Sequence, residues 1–221
     1  MIITIDGPAA SGKSTIAKKV AKKLNYHLIG TGLMYRAAAL QALLENIDIT
    51  QKDQIKELIK RLQVSLSFSW EDGVERVLVN GVDVTKKLST PEVDAYVSDV
   101  AKISDVREMM VERQRKLAKQ GDVVVEGRDI GTVVLPDADI KFYVTASTKE
   151  RARRRCAELA AKGHICDKQE LEQDIMKRDK IDSTRKLSPL SKAKDAYPID
   201  TTGKTIEEVV IQIMAIIKEK K

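Results

Sequence analysis

The chain has 221 residues, 43% of them hydrophobic and 33% charged, with 39 Lys and Arg against 33 Asp and Glu. These proportions describe a soluble globular protein and exclude disordered and collagen-like chains; no apolar run approaches the ~20 residues of a spanning helix. The length suits one large domain, or one domain with a subordinate insert.

The net charge of +6 is unevenly spread. Residues 141–194 hold 15 Lys and Arg against 8 Asp and Glu, a net of +7, so the rest of the chain is close to neutral. A localised cationic segment points to a localised anionic partner, or else to a solvated helix face. Two cysteines, Cys156 and Cys166, are too few for a disulfide framework or a zinc site. They read as buried or idle thiols in a reducing compartment. Asp6 interrupts the N-terminus before a signal-peptide hydrophobic region can form, so a cytoplasmic location is expected.

In chain order, 2–6 (IITID) reads as a strand, followed by a Gly-rich turn. Ile16, Ala17, Val20, Ala21 and Leu24 recur at helical spacing from Ser14 onward. Residues 27–29 are a second strand candidate, and 33–45 and 53–63 are helices. The period then changes to two: 64–68 and 74–79 alternate, with a turn at Glu71-Asp72-Gly73. Asn80-Gly81 is a hairpin signal before 82–84. This small antiparallel unit has too few large apolar residues for its own core and reads as an insert.

Thr90-Pro91 opens a helix over 92–102, and 105–119 forms another that Gly121 ends. The apolar run 123–125 fits a parallel strand buried on both faces, and 140–145 is another strand. Ser147 and Glu150 form a capping box for a helix to about Lys162, with Gly163 behind it. Residues 168–180 are helical and charged. Thr205 and Glu208 cap a last helix that turns Val209, Val210, Ile213, Ile216 and Ile217 inward. Strands separated by helices predict an open parallel α/β sheet.

Gly7-Pro8-Ala9-Ala10-Ser11-Gly12-Lys13-Ser14 matches G-x-x-x-x-G-K-[ST], with a strand before it and a helix after it. The glycines let successive N–H groups point at phosphate oxygens, and the helix offers its positive dipole end to the same anion. Lys13 can reach the outer phosphates, and the Ser14 hydroxyl can ligate Mg²⁺. The chain lacks N-K-x-D, which argues against a GTPase, and it is short for a motor ATPase. Small P-loop proteins of about this length are often kinases of small metabolites, and fold and size make that the analogy to follow. Such an enzyme needs a second cationic group for its acceptor. Arg36 follows the second strand, Arg128 leaves the strand 123–125, and Arg178 and Arg185 flank Asp182. In open parallel sheets ligands lie beyond the carboxyl ends of strands. Arg151, Arg153, Arg154 and Arg155 share one helix, with Arg151 and Arg155 one turn apart.

The segments TIDGPAASGKST, TGLMYRA, VREMMVERQR, EGRDIGTVVLPDA and RDKIDSTR, then LSPL and IDTTG, resemble the bacterial-type cytidylate kinases nearly end to end. The resemblance implies a P-loop fold that transfers the γ-phosphoryl group of ATP to CMP or dCMP, with Mg²⁺, as a monomer. It implies a core (about 1–30, 103–150 and 195–221), a monophosphate-binding region with the β insert (about 31–102), and a mobile lid (about 151–194). It assigns Gly7 to Thr15 and Arg154 to ATP, through Gly7, Pro8, Ala9, Ala10, Ser11, Gly12, Lys13, Ser14 and Thr15. It assigns Arg36, Arg128 and Arg185 to the acceptor phosphate, with Thr31 beside them, Ser98, Arg107 and Asp129 to the cytosine, and Arg178 and Asp182 to the ribose. Lys13, Glu126, Arg128 and Arg185 become the catalytic set. The chain departs from the family pattern at Glu126, where Asp is expected, at Gly30, where Asp is common, and at Leu33, where a small residue is usual. Two other readings remain: a P-loop kinase for another acceptor, and a basic ATPase on a nucleic acid. Aromatic residues at 4% argue against base-stacking platforms.

Overall fold

The computed structural model describes residues 1–48, 50–68, 75–161, 163 and 165–220. The turn expected at Glu71-Asp72-Gly73, and His164, lie outside the described residues. The elements run β1 (Ile2–Asp6), α1 (Lys13–Leu24), β2 (His27–Gly30), α2 (Thr31–Leu44), α3 (Lys52–Arg61), β3 (Val64–Phe68), β4 (Glu75–Val79) and β5 (Val82–Asp83). Then follow α4 (Pro91–Val100), α5 (Ser104–Ala118), β6 (Val123–Gly127), β7 (Ile140–Thr145), α6 (Thr148–Ala161), α7 (Lys168–Thr184), β8 (Tyr197–Asp200) and α8 (Ile206–Lys220). The central sheet is the expected open parallel one, with strand order β2-β6-β1-β7-β8. Asp6 at the end of β1 stands opposite Tyr143 of β7, and Thr145 of β7 opposite Asp200 of β8.

By compactness the chain divides into Met1–Tyr26 with Val124–Lys221, and His27–Val123. In the first unit Ile3, Ile5, Phe142 and Val144 are fully buried. Ile16, Ala17, Val20 and Ala21 line the inner face of α1, and Val209, Val210, Ile213 and Ile217 that of α8. Each large aliphatic side chain so buried contributes about 1.5–3 kcal/mol. Ile216 is only half-buried, because it sits at the edge of the α8 stripe. Thr205 and Glu208 form the full capping box before α8: Glu208 N–H donates to Thr205 Oγ1 at 3.2 Å, and Thr205 N–H to Glu208 Oε2 at 2.8 Å.

The second unit wraps α2 to α5 and the antiparallel sheet β3-β4-β5 around Met34, Ile55, Leu58, Leu62, Leu88, Val97 and Met110. It takes in α5, which the sequence reading groups with the core. Asn80 and Gly81 have φ of 49° and 83°, both positive as a two-residue type I′ hairpin turn requires. Thr90 caps α4 through Val93 N–H, with Pro91 in the first turn.

Five features differ from the sequence reading. The capping box at Ser147 is half-formed. Glu150 N–H donates to Ser147 Oγ at 3.3 Å, but Ser147 N–H donates to Thr202 Oγ1, and the Glu150 carboxylate goes to Arg153 and Arg154. Helix α7 runs on to Thr184, and its cap is Asp167, which accepts from Gln169 and Glu170 N–H. Strand β8 and a π turn at Ile130–Val134 have no counterpart in the reading. Cys156 and Cys166 form a disulfide and are not idle thiols. The reading treated two cysteines as too few for a framework, yet one pair suffices to tie the second half of α6 to the approach of α7, where the Cα atoms stand 5.6 Å apart. Among the described residues no helix is long and apolar enough to cross a membrane.

Candidate active site

The turn between β1 and α1 is built as its motif requires. A Cβ at Gly7 would lie 2.0 Å from the Val144 carbonyl oxygen, a backbone atom that cannot yield, so only glycine lets the loop pass β7. Gly12 at φ 86° sits in the left-handed region immediately before the first turn of α1. Other groups of the same unit hold the loop from outside. Arg151, buried on α6, donates to the Ala9 carbonyl at 3.2 Å and is anchored by Asp179 at 2.6 Å. The Ser11 carbonyl accepts from Thr201 Oγ1 at 3.2 Å and Arg154 Nη1 at 3.4 Å. The inner N–H groups of the loop therefore need not support it and can serve an anion.

Lys13 lies inside this curl, with a side chain only 7% exposed. Its Nζ donates to the Pro8 carbonyl at 3.3 Å and stands 3.8 Å from Glu126 Oε2 at the end of β6. Burial, reinforced by Arg128 and partly offset by Glu126, pushes the Lys13 ammonium down to about 7. The longer Glu126 side chain thus still reaches the phosphate-loop lysine. Ser14 and Thr15 are exposed at the start of α1.

Beyond β6 the unit assembles alternating charges. Arg128 Nε donates to Asp182 Oδ2 at 3.2 Å, Arg185 Nη1 stands 3.6 Å from Asp182 Oδ1, and Arg185 Nη2 reaches Asp129 Oδ1 at 3.4 Å. Arg185 Nε also donates to the Ser188 carbonyl at 2.6 Å. Asp129 and Asp182 are buried, at 5% and 6% exposure. Asp182 sits between two guanidinium groups and Asp129 faces one, which is what keeps charges tolerable away from water. Arg178 lies one turn before Asp182 on α7, and its charge also bears on Lys13.

The remaining candidates belong to the second unit. Thr31 is buried at the first position of α2. Arg36, one turn further, donates to the Leu88 carbonyl at 2.7 Å and pairs with Asp94 of α4. Ser98 is half-buried on α4 one turn beyond Asp94. Arg107 on α5 is 4% exposed, holds the Ala101 carbonyl at 3.3 Å and lies 5.6 Å from the centroid of the Tyr35 ring. A guanidinium stacked on an aromatic face and tied at one end is held in one plane.

Of the four arginines on α6, Arg153 and Arg154 line a cavity, and Arg154 also reaches the Ser11 carbonyl of the loop. Arg153 and Arg155 pair with Glu150 and Glu158, and Arg151 supports the loop as described. The cavity measures about 750 Å³ and is lined by Gly12, Thr15, Arg154, Lys204, Thr205 and Ile206, among others. The 203–206 stretch was missed at the sequence level, although Gly203 before the capping box marks a turn there. Asp94 and Thr201 were also missed, and Arg151 was named without a role of its own, since each acts through a partner distant in the chain. Among the described residues no group of three or more His, Cys, Asp or Glu side chains is arranged to hold a metal.

The chain matches the family model described as Cytidylate kinase over residues 3–219. It is 50% identical to the cytidylate kinase of Bacillus cereus (strain ATCC 10987) over 215 residues, covering 97% of this chain and 95% of that one. It is 49% identical to the cytidylate kinase of Bacillus subtilis (strain 168) over 218 residues, covering 99% and 96%. Among solved structures, shikimate kinase from Bacteroides thetaiotaomicron superposes with a TM-score of 0.50 at 13% identity, covering 99% of this chain and 98% of that one. That likeness bears on the fold alone. A phosphate loop with its lysine buried beside a carboxylate, a cluster of arginines and aspartates after β6, and a match over nearly the whole chain lead to one conclusion: the chain belongs to the cytidylate kinase family.

Proposed function

We propose that this chain transfers the γ-phosphoryl group of ATP to CMP or dCMP, giving ADP and CDP or dCDP, in pyrimidine nucleotide metabolism. The observation that carries the reading is the run Arg128–Asp182–Arg185–Asp129 in the same unit as the phosphate loop. An acceptor phosphate needs guanidinium forks, and a cytosine needs a carboxylate for its exocyclic amine. Arg36, Arg128 and Arg185 take the acceptor phosphate, with Thr31 beside Arg36. Asp129 accepts from the cytosine amine, while Arg107 and Ser98 donate to its O2 and N3. Arg178 and Asp182 take the ribose hydroxyls. Uracil would set a carbonyl against Asp129, leaving a buried carboxylate facing an oxygen, and so would be rejected.

ATP lies with its phosphates on the 7–15 loop, and the cavity beside Arg154 receives its base. An oxygen of the CMP phosphate attacks the γ-phosphorus in line, a P–O bond forms, and the bond to the β-bridging oxygen breaks to release ADP. No side chain need act as a strong base, because the acceptor oxygen is already anionic. Lys13, Arg128 and Arg185 neutralise charge on the transferring group, and Glu126 holds Lys13 in place. The 151–194 segment serves as a lid that keeps water from the phosphates. The donor set suits Mg²⁺ carried in with the nucleotide: among the described residues no group of three or more carboxylates gathers to hold an ion alone, and the Ser14 hydroxyl would supply the protein's oxygen to it. When bound, Mg²⁺ neutralises phosphate oxygens. The same reading makes the protein a cytoplasmic monomer acting on small nucleotides.

Coupled ADP release tests the reaction, with CMP, dCMP, UMP and AMP offered in turn. CMP-dependent release well above that with UMP and AMP is expected; no CMP-dependent release overturns the reading. Chiral phosphorus in the γ position should show inversion, and net retention would exclude direct transfer.

A further inference from the structure

Strand β1 ends on a carboxylate for which the phosphate-loop motif has no use. Asp6 directly precedes Gly7 and is 4% exposed. Both its oxygens are engaged: Oδ1 accepts Ile130 N–H at 2.8 Å, and Oδ2 accepts Gly131 N–H at 2.7 Å. These are the first amides of the π turn Ile130–Val134. The turn's own bonds run from Val133 and Val134 N–H to the Asp129 carbonyl and from Leu135 N–H to the Ile130 carbonyl, and leave the opening amides to find partners elsewhere. Asp6 supplies both of them.

The same turn is fitted closely on its other side. A Cβ at Gly131 would lie 3.0 Å from Thr4 Oγ1, 3.1 Å from Lys141 Cδ and 3.4 Å from Asp6 Oδ2. Glycine at 131 is what lets the turn approach β1 and β7 closely enough for the carboxylate to reach two successive amides. Arg128 and Asp129 immediately precede this turn, and Gly7 immediately follows the carboxylate.

We propose that Asp6 is a positioning residue: it locks the turn carrying Arg128 and Asp129 at a fixed offset from the phosphate loop. It touches neither nucleotide. It sets the distance over which the phosphoryl group travels, and the angle at which Asp129 meets the acceptor's base. A buried charge is a costly way to hold a turn, and the directional, two-point grip is what it provides that an apolar side chain cannot. The inference rests on the roles given above to Arg128 and Asp129.

The test uses full-length Asp6→Asn, Asp6→Ala, Gly131→Ala and Asp129→Asn, with steady-state rates for CMP and UMP at saturating ATP, KM for ATP, and melting temperature. Asp6→Asn offers one acceptor oxygen and turns an NH₂ toward the second amide. It should lower kcat/KM for CMP by about 100-fold and the CMP-over-UMP preference by about 10-fold, a displacement of order 1 Å sufficing for the former, while KM for ATP changes by no more than about 3-fold. Asp6→Ala should be worse in the same pattern. Gly131→Ala displaces the same turn without altering the carboxylate, so it should show the same split more mildly, and it carries the test if the Asp6 variants do not fold. Unchanged CMP kinetics and preference in folded Asp6→Asn and Gly131→Ala overturn the proposal. So does a loss shared equally by the ATP and CMP parameters and matched by the loss of folded protein. If Asp129→Asn alone leaves the preference intact, the cytosine role of Asp129 fails, and Asp6 is then judged on kcat/KM for CMP.

Discussion

The most distinctive electrostatic feature of the site is Lys13, whose ammonium is pushed down to about 7 by burial, with Arg128 adding to the effect. At pH 8 a group with that value keeps its proton in only about one molecule in ten. A bound triphosphate brings a charge near −4 to within reach of the lysine, and an opposite charge at that range favours the protonated form. Binding ATP at pH 8 should therefore draw about 0.9 proton from the buffer, and nearer 0.5 at pH 7. The upper pH is the cleaner one, since a phosphate's last proton leaves near 6 and does not contribute. Titration calorimetry in EDTA, in three buffers of different ionisation enthalpy, gives the number as the slope of apparent binding enthalpy. Lys13→Arg keeps the charge but cannot lose the proton, so its slope should be close to zero. A zero slope for the wild type at pH 8, or an undiminished slope in Lys13→Arg, would refute the reasoning. The sign for stability follows from the same shift. An unfolded lysine holds its proton up to about 10.5, the folded one releases it near 7, and the unfolded state binds more protons between those limits. The free protein should therefore gain stability as pH rises from about 7 to 10.5, an effect that Lys13→Met abolishes in urea titrations.

Three further outcomes follow from particular contacts. Gly7→Ala sets a Cβ against the Val144 carbonyl, so ATP-dependent turnover should fall by at least about 100-fold, and activity within a few-fold of wild type would show that the loop can shift. Asp182→Ala leaves Arg128 and Arg185 without the carboxylate they share. Denaturant titration should show a loss of about 3 kcal/mol, and no loss would mean the cluster is solvated. The Cys156–Cys166 bond spans a separation of 10 residues, so removing both thiols as serine should cost about 2–3 kcal/mol and lower the melting temperature by about 5–10 °C. Reductant should lower wild type equally and leave the double variant unmoved; a variant that melts with the oxidised wild type contradicts the loop-closure argument.

What could be read from the chain, and what could not, divides along the range of the interactions. The phosphate loop is local: strand, eight motif residues and helix are contiguous, and the backbone follows from glycine at two positions. The Asn80-Gly81 hairpin and the Thr90 and Thr205 caps are equally local and were legible for that reason. Strand β8 carries a proline at its second residue and has no period of its own; it is a strand because β7 lies alongside. The π turn finds the partner of its first amide in Asp6, 124 positions earlier. The disulfide needed the second half of α6 and the approach of α7 to meet, which no cysteine count reveals. Among site residues, types were legible and partners were not. Arg151 belonged to a row of four arginines, and only the fold separates it as the support of the Ala9 carbonyl.

The cationic segment shows why that distinction matters for function. A nucleic-acid groove would hold its positive charges open along a face, ready to displace counterions. Here Arg151 is given to Asp179, Arg153 and Arg154 to Glu150, Arg155 to Glu158, Arg185 to Asp129 and Asp182, and Lys141 to Asp195. A cation already paired gains only the difference between its resident carboxylate and an incoming anion. That difference is small for a single exposed phosphodiester charge. It is large for a phosphate monoester or a triphosphate, which brings more charge to one point and offers both prongs of the fork. Pairing therefore lowers the attraction for a polymer backbone while sparing that for a nucleotide's terminal phosphates. It also holds each guanidinium in one orientation, so less freedom is lost when the nucleotide arrives. The net charge of +6, taken alone, suggested either class of partner; the places of the carboxylates favour the small one.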